Sequence, residues 1–271
     1  MTDQTLTVDG IDVQVVQLGA GPTLLWLHGY ASHPGEDEFL ERLATGYRVV
    51  APVHPGFGEV SRIPWVRSME DLAFYYRHVI ETLGGGHVTL AGHSVGGWIA
   101  SEFAVRFSHL LRGLVLIAPF GLRHDGNPPA DIFMLDDVQR RERAWHDISR
   151  APATSGPPSL PAIRDLEMTA QLGWEPRLFD PRLAERLRWI DVPTLIVWGE
   201  QDRIVPAAYA QEWTKLVREA DKVIIPDAGH YVHVERPEAC AAAIAGSAAG
   251  LRTDDHAADH ADDHADAAGR R

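Results

Sequence analysis

The sequence predicts an α/β protein: a mostly parallel, twisted sheet with helices on both faces. Short continuous apolar runs alternate along the chain with stretches of helical periodicity, the pattern of buried strands joined by crossover helices. The alternation is interrupted once, from about Gly121 to Glu185, where proline and charge dominate. That interruption predicts a helical cap inserted over the carboxyl edge of the sheet.

The chain opens with "LTVDGIDVQVVQLG", two alternating segments around Asp9-Gly10, which predicts a hairpin. "PTLLWLHG" is a continuous apolar run, expected of a strand covered on both faces, and "YRVVAPVHPGFG" is a second one stopped by proline and glycine. In "SMEDLAFYYRHVIETLGGG", Leu72, Tyr75, Tyr76, Val79, Ile80 and Leu83 recur at helical spacing. Ser68 with Asp71 marks the start of that helix, and Gly84 to Gly86 its end. The strand "HVTLAG", a helix from about Val95 to Phe107 and the strand "LRGLVLIAPFG" come next. After the interruption the order is strand "VPTLIVWG", helix "AAYAQEWTKLVREA", strand "DKVIIPDAG" and helix "RPEACAAAIAGSAA". The expected core therefore takes in residues 1–120 and 186–250, the cap 121–185 and a low-complexity tail 251–271.

Composition narrows the function. No apolar run approaches the ~20 residues that cross a bilayer, and "MTDQTLTVDG" lacks the basic and apolar regions of a secretory signal. Cys240 is the single cysteine, so an internal disulfide is excluded and a reducing, cytoplasmic setting is expected. A net charge of −13 argues against a nucleic-acid partner, which would need a basic face. The expected partner is a small-molecule substrate; the oligomeric state is left open. In the tail, His256, His260 and His264 recur every four residues, but a run of Asp, Ala and His reads first as a solvated segment. No metal and no cofactor are expected.

The chemistry concentrates in "VTLAGHSVGGWIA", where "GHSVG" matches G-x-S-x-G between a strand and a helix. A tight turn there lifts the Ser94 hydroxyl above the sheet edge and aims a helix N-terminus at it. Gly92 and Gly96 are required because a Cβ at either would meet neighbouring chain. A serine hydroxyl needs a base, and the base needs an orienting acid. "LIVWGEQDRIVP" puts Asp202 just beyond one buried strand and "VIIPDAGHYVHVERPE" puts His230 just beyond the next. All three open at the same sheet edge, in the order Ser, Asp, His. Two backbone N–H groups are expected to form the oxyanion hole: Val95, directly after the nucleophile, and Tyr30, after the strand ending in His28-Gly29.

These motifs, with "LHGYAS", "APVHPGFG", "GHSVGG", "VPTLIVWGEQDRIVP" and "DAGHYVHVERPE", make residues 5 to 250 resemble the α/β-hydrolase family. The resemblance implies Ser94 as nucleophile, His230 as general base and then acid, and Asp202 as orienting carboxylate. The chain departs from it at Val53, where many members are acidic, and at Val60, where many have serine. Among competing side chains, His93 is expected to pack under the turn, His28 to brace the oxyanion loop, and His233 to face the following helix. His54 is expected near enough to touch substrate. Asp125 is the alternative acid, and Glu200 lies too close to its strand end to be preferred.

The cap offers Ile132, Phe133, Met134, Leu135, Trp145, Met168, Leu172, Trp174 and Phe179, residues that first of all make its own small core. His28, Phe133, Trp145 and Trp174 are the pocket candidates. Arg140, Arg141 and Arg143 could meet a carboxylate, although a solvated helix face is the commoner role. The expected function is hydrolysis of a small carboxylic ester, thioester or lactone through an acyl-serine. The alternatives are carbon–carbon hydrolysis of diketones from aromatic-ring cleavage, or a ligand receptor that keeps the triad. Ring-cleavage members tend to have Asn before the nucleophile and Trp after the histidine, where this chain has His93 and Tyr231.

Overall fold

Successive side chains of a strand point to opposite faces, and in this sheet the two sets go to two separate cores. The computed structural model describes residues 2–8, 10–32, 38–152 and 158–251. Asp9 of the expected hairpin turn and the tail residues 252–271, with His256, His260 and His264, lie outside the described residues. β1 (Thr2–Val8) and β2 (Ile11–Leu18) pair antiparallel. They are followed by β3 (Thr23–Leu27), α1 (Glu38–Leu43), β4 (Arg48–Pro52) and α2 (Met69–Thr82). Then come β5 (Val88–His93), α3 (Val95–Phe107) and β6 (Leu111–Ile117). Between β6 and the next strand, the described residues hold α4 (Asp137–Ala144), α5 (Leu160–Gly173) and α6 (Leu183–Arg186), with one isolated bridge from Gly121 to Phe179. β7 (Thr194–Gly199), α7 (Tyr209–Leu216), β8 (Ala220–Ile225), α8 (Val232–Glu235), α9 (Pro237–Ala245) and α10 (Ala248–Leu251) complete the order.

The eight strands run β1-β2-β4-β3-β5-β6-β7-β8. β2 is antiparallel to both neighbours, and every pairing from β4 to β8 is parallel. In β3, Leu25 and Leu27 join the core formed with α2, α3 and α7, while Leu24 and Trp26 join the core formed with α1, α9 and α10. This is the physical reason for the continuous apolar strands: each residue has a helix to meet on whichever side it faces. Among the described residues, no helix is long and apolar enough to cross a membrane.

Local chemistry sets the helix ends. Ser68 Oγ accepts from the Asp71 N–H at 3.1 Å, so α2 starts at the expected cap. α7 is shorter than its sequence pattern, because Val217 is already extended and Ala220 must pair with Thr194. The last helical stretch breaks into α9 and α10 at Gly246-Ser247, where Ser247 Oγ accepts from the Gly250 N–H. α1 was not visible as periodicity in so short a segment, yet Phe39, Leu40 and Leu43 are all buried.

An ion-pair network ties the inserted segment to the helix that follows Ser94. Glu102 of α3 is buried, pairs with Arg106 at 2.5 Å, and lies 3.7 Å from Arg186 of α6. Arg106 continues to Glu70 of α2 at 2.7 Å, and Arg186 to Asp180 at 3.4 Å. Removing this buried carboxylate takes the shared partner from both arginines and leaves each with one acid, Glu70 or Asp180. Glu102→Ala is therefore expected to cost about 3 kcal/mol, near the low end for breaking a buried pair because Arg106 is part-exposed. In thermal unfolding that is a fall of about 6–12 °C for a chain of this size; an unchanged midpoint would show that the pairs contribute nothing.

Candidate active site

β5 delivers the chain into Ser94, whose backbone is left-handed at φ 57° and ψ −117°, and α3 begins at the next residue. Such angles are costly for a residue with a Cβ and persist only where neighbours hold them. Here the Ser94 N–H donates to the Ile117 carbonyl at 2.9 Å, and the Ser94 carbonyl accepts from Trp98 and Phe120, each at 3.1 Å. The flanking glycines are steric necessities. A Cβ on Gly92 would stand 2.3 Å from the Gly96 carbonyl oxygen, and one on Gly96 would stand 2.2 Å from that of Leu27.

His230 and Asp202 reach the same point from the ends of β8 and β7. Ser94 Oγ lies 2.8 Å from His230 Nε2, and His230 Nδ1 lies 2.8 Å from Asp202 Oδ2. The other carboxylate oxygen of Asp202 accepts the N–H groups of Ile204 and Val205 at 2.8 and 2.9 Å. That leaves Oδ2 aimed at the imidazole, which assigns the proton to Nδ1 and the lone pair on Nε2 to the serine. A hydroxyl, a base and an orienting carboxylate in this line can transfer a proton off Ser94 as it attacks an electrophile. Asp125 is elsewhere: its side chain is 98 % exposed and meets Arg123 at 3.4 Å.

The backbone of His230 is held from two sides. Its N–H donates to the Ala144 carbonyl of α4 at 2.7 Å, and its carbonyl accepts from His93 Nε2 at 2.9 Å. Beside it, the wholly buried Glu235 carboxylate accepts the N–H groups of Gly229, His146 and Asp147 at 2.7, 3.0 and 2.8 Å. One carboxylate thus joins the loop carrying His230 to the end of α4. Sequence reading passed over Glu235, since nothing in "VHVERPE" distinguishes a buried acid from a solvated one.

The remaining candidates divide. Trp145 is buried and stacks on Tyr231, with ring centroids 4.8 Å apart and planes at 25°, next in sequence to His230. Tyr231 Oη donates to the Tyr30 carbonyl at 3.2 Å. Phe133 is half-buried and meets Trp174, but Trp174 itself is 48 % exposed, with the Arg177 guanidinium 3.8 Å over its ring. His28 is wholly buried, both ring nitrogens bonded inside the core, so it offers no polar atom to a pocket. His54, expected near substrate, is also wholly buried and bonded to His28 and Tyr76. The solvated-face reading fails for two of the three arginines. Arg140 donates to the Ile132 and Leu135 carbonyls, and Arg141 to those of Ile148 and Ala151, because the loops around α4 need their carbonyls satisfied. Among the described residues, no group of three His, Cys, Asp or Glu gathers as a metal site would require.

Comparison with known proteins bears on the family and the fold. The family model described as the alpha/beta hydrolase family matches residues 24–243. The chain is 27 % identical over 258 residues to the 2-(acetamidomethylene)succinate hydrolase of Mesorhizobium japonicum, covering 86 % of this chain and 90 % of that protein. It is 26 % identical over 228 residues to the bifunctional esterase/perhydrolase DCH of Acinetobacter calcoaceticus, covering 74 % and 82 %. The structure of the 2-hydroxy-6-oxo-6-phenylhexa-2,4-dienoate hydrolase from Rhodococcus sp. strain RHA1 is similar with a TM-score of 0.75 over 90 % of this chain and 97 % of that one; at 19 % identity this is a likeness of fold.

Behind His230 sit two further histidines. His93 is wholly buried, and so is His233. His233 lies against Trp26 and Phe39, and its ring centroid is 4.4 Å from that of His93. Neither nitrogen of His233, nor Nδ1 of His93, has a hydrogen-bond partner among the described residues. Burial, with the nearby His230 adding, holds His233 down to about 3. Burial and the neighbouring His233 hold His93 well below the usual histidine range. Unfolded, both titrate near 6.5. Between about pH 6.5 and pH 3 the unfolded chain binds protons that the folded chain refuses, so stability is complete above pH 6.5 and is lost as pH falls. The urea midpoint is expected to drop from pH 7 to pH 5, and His233→Leu to flatten that slope by up to ~1.4 kcal/mol per pH unit, the value of one proton. A variant slope equal to that of the parent protein would exclude His233 as a source.

Proposed function

The chain belongs to the alpha/beta hydrolase family, and from the site we propose that it is a serine hydrolase of a small carboxylic ester, thioester or lactone. The observation that carries this reading is the unbroken line of 2.8 Å hydrogen bonds from Asp202 through His230 to Ser94. Ser94 Oγ attacks the acyl carbon as its proton passes to His230 Nε2, and Asp202 stabilises the imidazolium through Nδ1. The carbonyl oxygen takes up negative charge between the N–H groups of Val95 and Tyr30. Val95 is the first residue of α3, where an N–H has no carbonyl in its own helix. His230 then returns the proton to the leaving oxygen or sulfur, giving an acyl-serine and a free alcohol or thiol. Water, deprotonated by the same imidazole, releases the acid and restores Ser94.

The stacked Trp145 and Tyr231 beside His230 support an apolar wall on a small acyl or alcohol group. Phe133 would extend it. The same triad could hydrolyse a carbon–carbon bond in a ring-cleavage diketone. The fold likeness to such a hydrolase does not carry its substrate over, and His93 is engaged with the His230 carbonyl instead of facing a ligand. A receptor that keeps the triad would bind without turning over, so a simple chromogenic ester separates it from an enzyme.

A fluorophosphonate is expected to label the protein at Ser94 alone, and Ser94→Ala to lose about 10⁴- to 10⁶-fold in turnover while unfolding like the parent. Labelling of another residue, or of the variant, would refute the nucleophile. The two acids give an independent check. Asp202→Asn should lower kcat by about 10⁴ through the wrong imidazole tautomer, as in the serine protease precedent. Asp125→Asn should cost less than about tenfold, a barrier change under ~1.4 kcal/mol. If the second loss were the larger, Asp202 would not be the acid.

A further inference from the structure

Beneath the segment that ends β3 lies a chain of buried polar side chains that the triad does not use. His28, His54 and Tyr76 are each wholly buried. The two imidazoles are stacked, with centroids 3.8 Å apart and planes at 27°. Their hydrogen bonds are directional, and together they specify where every proton sits. The His54 backbone N–H donates to His28 Nε2 at 3.0 Å, which makes Nε2 an acceptor and puts the ring proton of His28 on Nδ1. His28 Nδ1 therefore donates to the Gly29 carbonyl at 2.8 Å. His54 Nε2 donates to the His28 carbonyl at 2.8 Å, so His54 Nδ1 is left as an acceptor, and the Tyr76 hydroxyl meets it in a short contact. Burial pushes the Tyr76 phenol well above its usual range, so it stays an O–H donor.

The consequence falls on one peptide group. In a trans peptide the carbonyl and the N–H point in opposite directions. Once the Gly29 carbonyl is held by His28 on the core side, the N–H of Tyr30 is turned to the opposite side. The elbow lies against this segment: a Cβ on Gly29 would stand 3.0 Å from Ser94 Cβ and 2.6 Å from His93 Nδ1. A peptide flipped by half a turn would offer a carbonyl where the developing oxyanion needs a donor. Packing alone gives no reason for the chain, since leucine and phenylalanine would fill the same space without desolvating polar atoms.

We propose that His54 and Tyr76 are positioning residues for the oxyanion hole: Tyr76 keeps the ring proton of His54 on Nε2, and the bond from Nε2 to the His28 carbonyl anchors the segment in which His28 Nδ1 holds the Gly29–Tyr30 peptide with its N–H toward Ser94. The proposal rests on the reading of Ser94 as nucleophile and of Tyr30 as an oxyanion donor. It explains why this chain places a histidine before Pro55-Gly56 and a tyrosine on the buried face of α2.

The test uses three variants and two readouts, turnover of a chromogenic ester and the rate constant for phosphonylation of Ser94 by a fluorophosphonate. Tyr76→Phe removes only the terminal hydroxyl, and His54→Leu removes both ring nitrogens. His54→Gln keeps an amide N–H able to reach the His28 carbonyl. Losing one oxyanion donor typically costs about 10²- to 10³-fold in kcat. His54→Leu is accordingly expected to lose about 100-fold, and Tyr76→Phe about tenfold, in both kcat and labelling rate, with KM within about twofold. His54→Gln should recover about tenfold of what His54→Leu loses. Wild-type rates in the folded fraction of Tyr76→Phe and His54→Leu, a change in KM alone, or a glutamine no better than leucine would each overturn the proposal while leaving Ser94 as nucleophile. If the parent protein itself is not labelled at Ser94, the nucleophile assignment falls and this proposal falls with it.

Discussion

The left-handed turn at Ser94 is the constraint on which the other parts depend. It is held by three backbone hydrogen bonds, one to Ile117 of β6 and two from Trp98 and Phe120. Because these partners belong to α3, to β6 and to the segment leaving β6, the turn cannot relax without disturbing the centre of the sheet. The glycines at 92 and 96 follow from the same closeness, since carbonyls of α3 and β3 occupy the space a methyl group would need. Strain of this kind is supported by the surrounding structure and presents a hydroxyl where His230 can reach it.

The inserted segment is fastened to the core at two places by buried charge. Glu235 gathers backbone donors from the His230 loop and from the end of α4. Glu102 joins α3 to α6 through Arg106 and Arg186. Each carboxylate is costly to bury and is retained with its donors close by. The position of His230 is consequently shared between core and insertion, because its N–H answers to Ala144 and its carbonyl to His93.

Among the described residues five histidines are buried, and their partners give them different tasks. His230 is placed between a carboxylate and a hydroxyl. His28 and His54 order each other's protons beneath the segment that follows β3. His93 holds a carbonyl, and His233 is packed among Trp26 and Phe39 as a neutral ring. Imidazole suits all these uses because each of its nitrogens becomes donor or acceptor according to what the other one meets.

Much of this was legible in the sequence, for local reasons. Strand runs such as "TLLWL" and "TLIVWG" show two-sided burial, which is a property of consecutive residues. The helix over Met69–Thr82 shows its cap, and "GHSVG" shows a turn whose sterics involve only near neighbours. Ser94, Asp202 and His230 could be named because each stands just after a strand, and parallel strands bring their carboxyl ends to one edge. Partners distant in the chain could not be read in the same way. His54 lies 26 residues from His28 and 22 from Tyr76, and Glu235 lies 89 from His146, so only the folded sheet decides that they meet. The same holds for Arg140 and Arg141, which look solvated in sequence and are recruited by carbonyls of loops packed around them. Periodicity records which face of an element is apolar. The bonds of a buried polar atom depend on what the rest of the chain brings to it, and that is settled by tertiary packing alone.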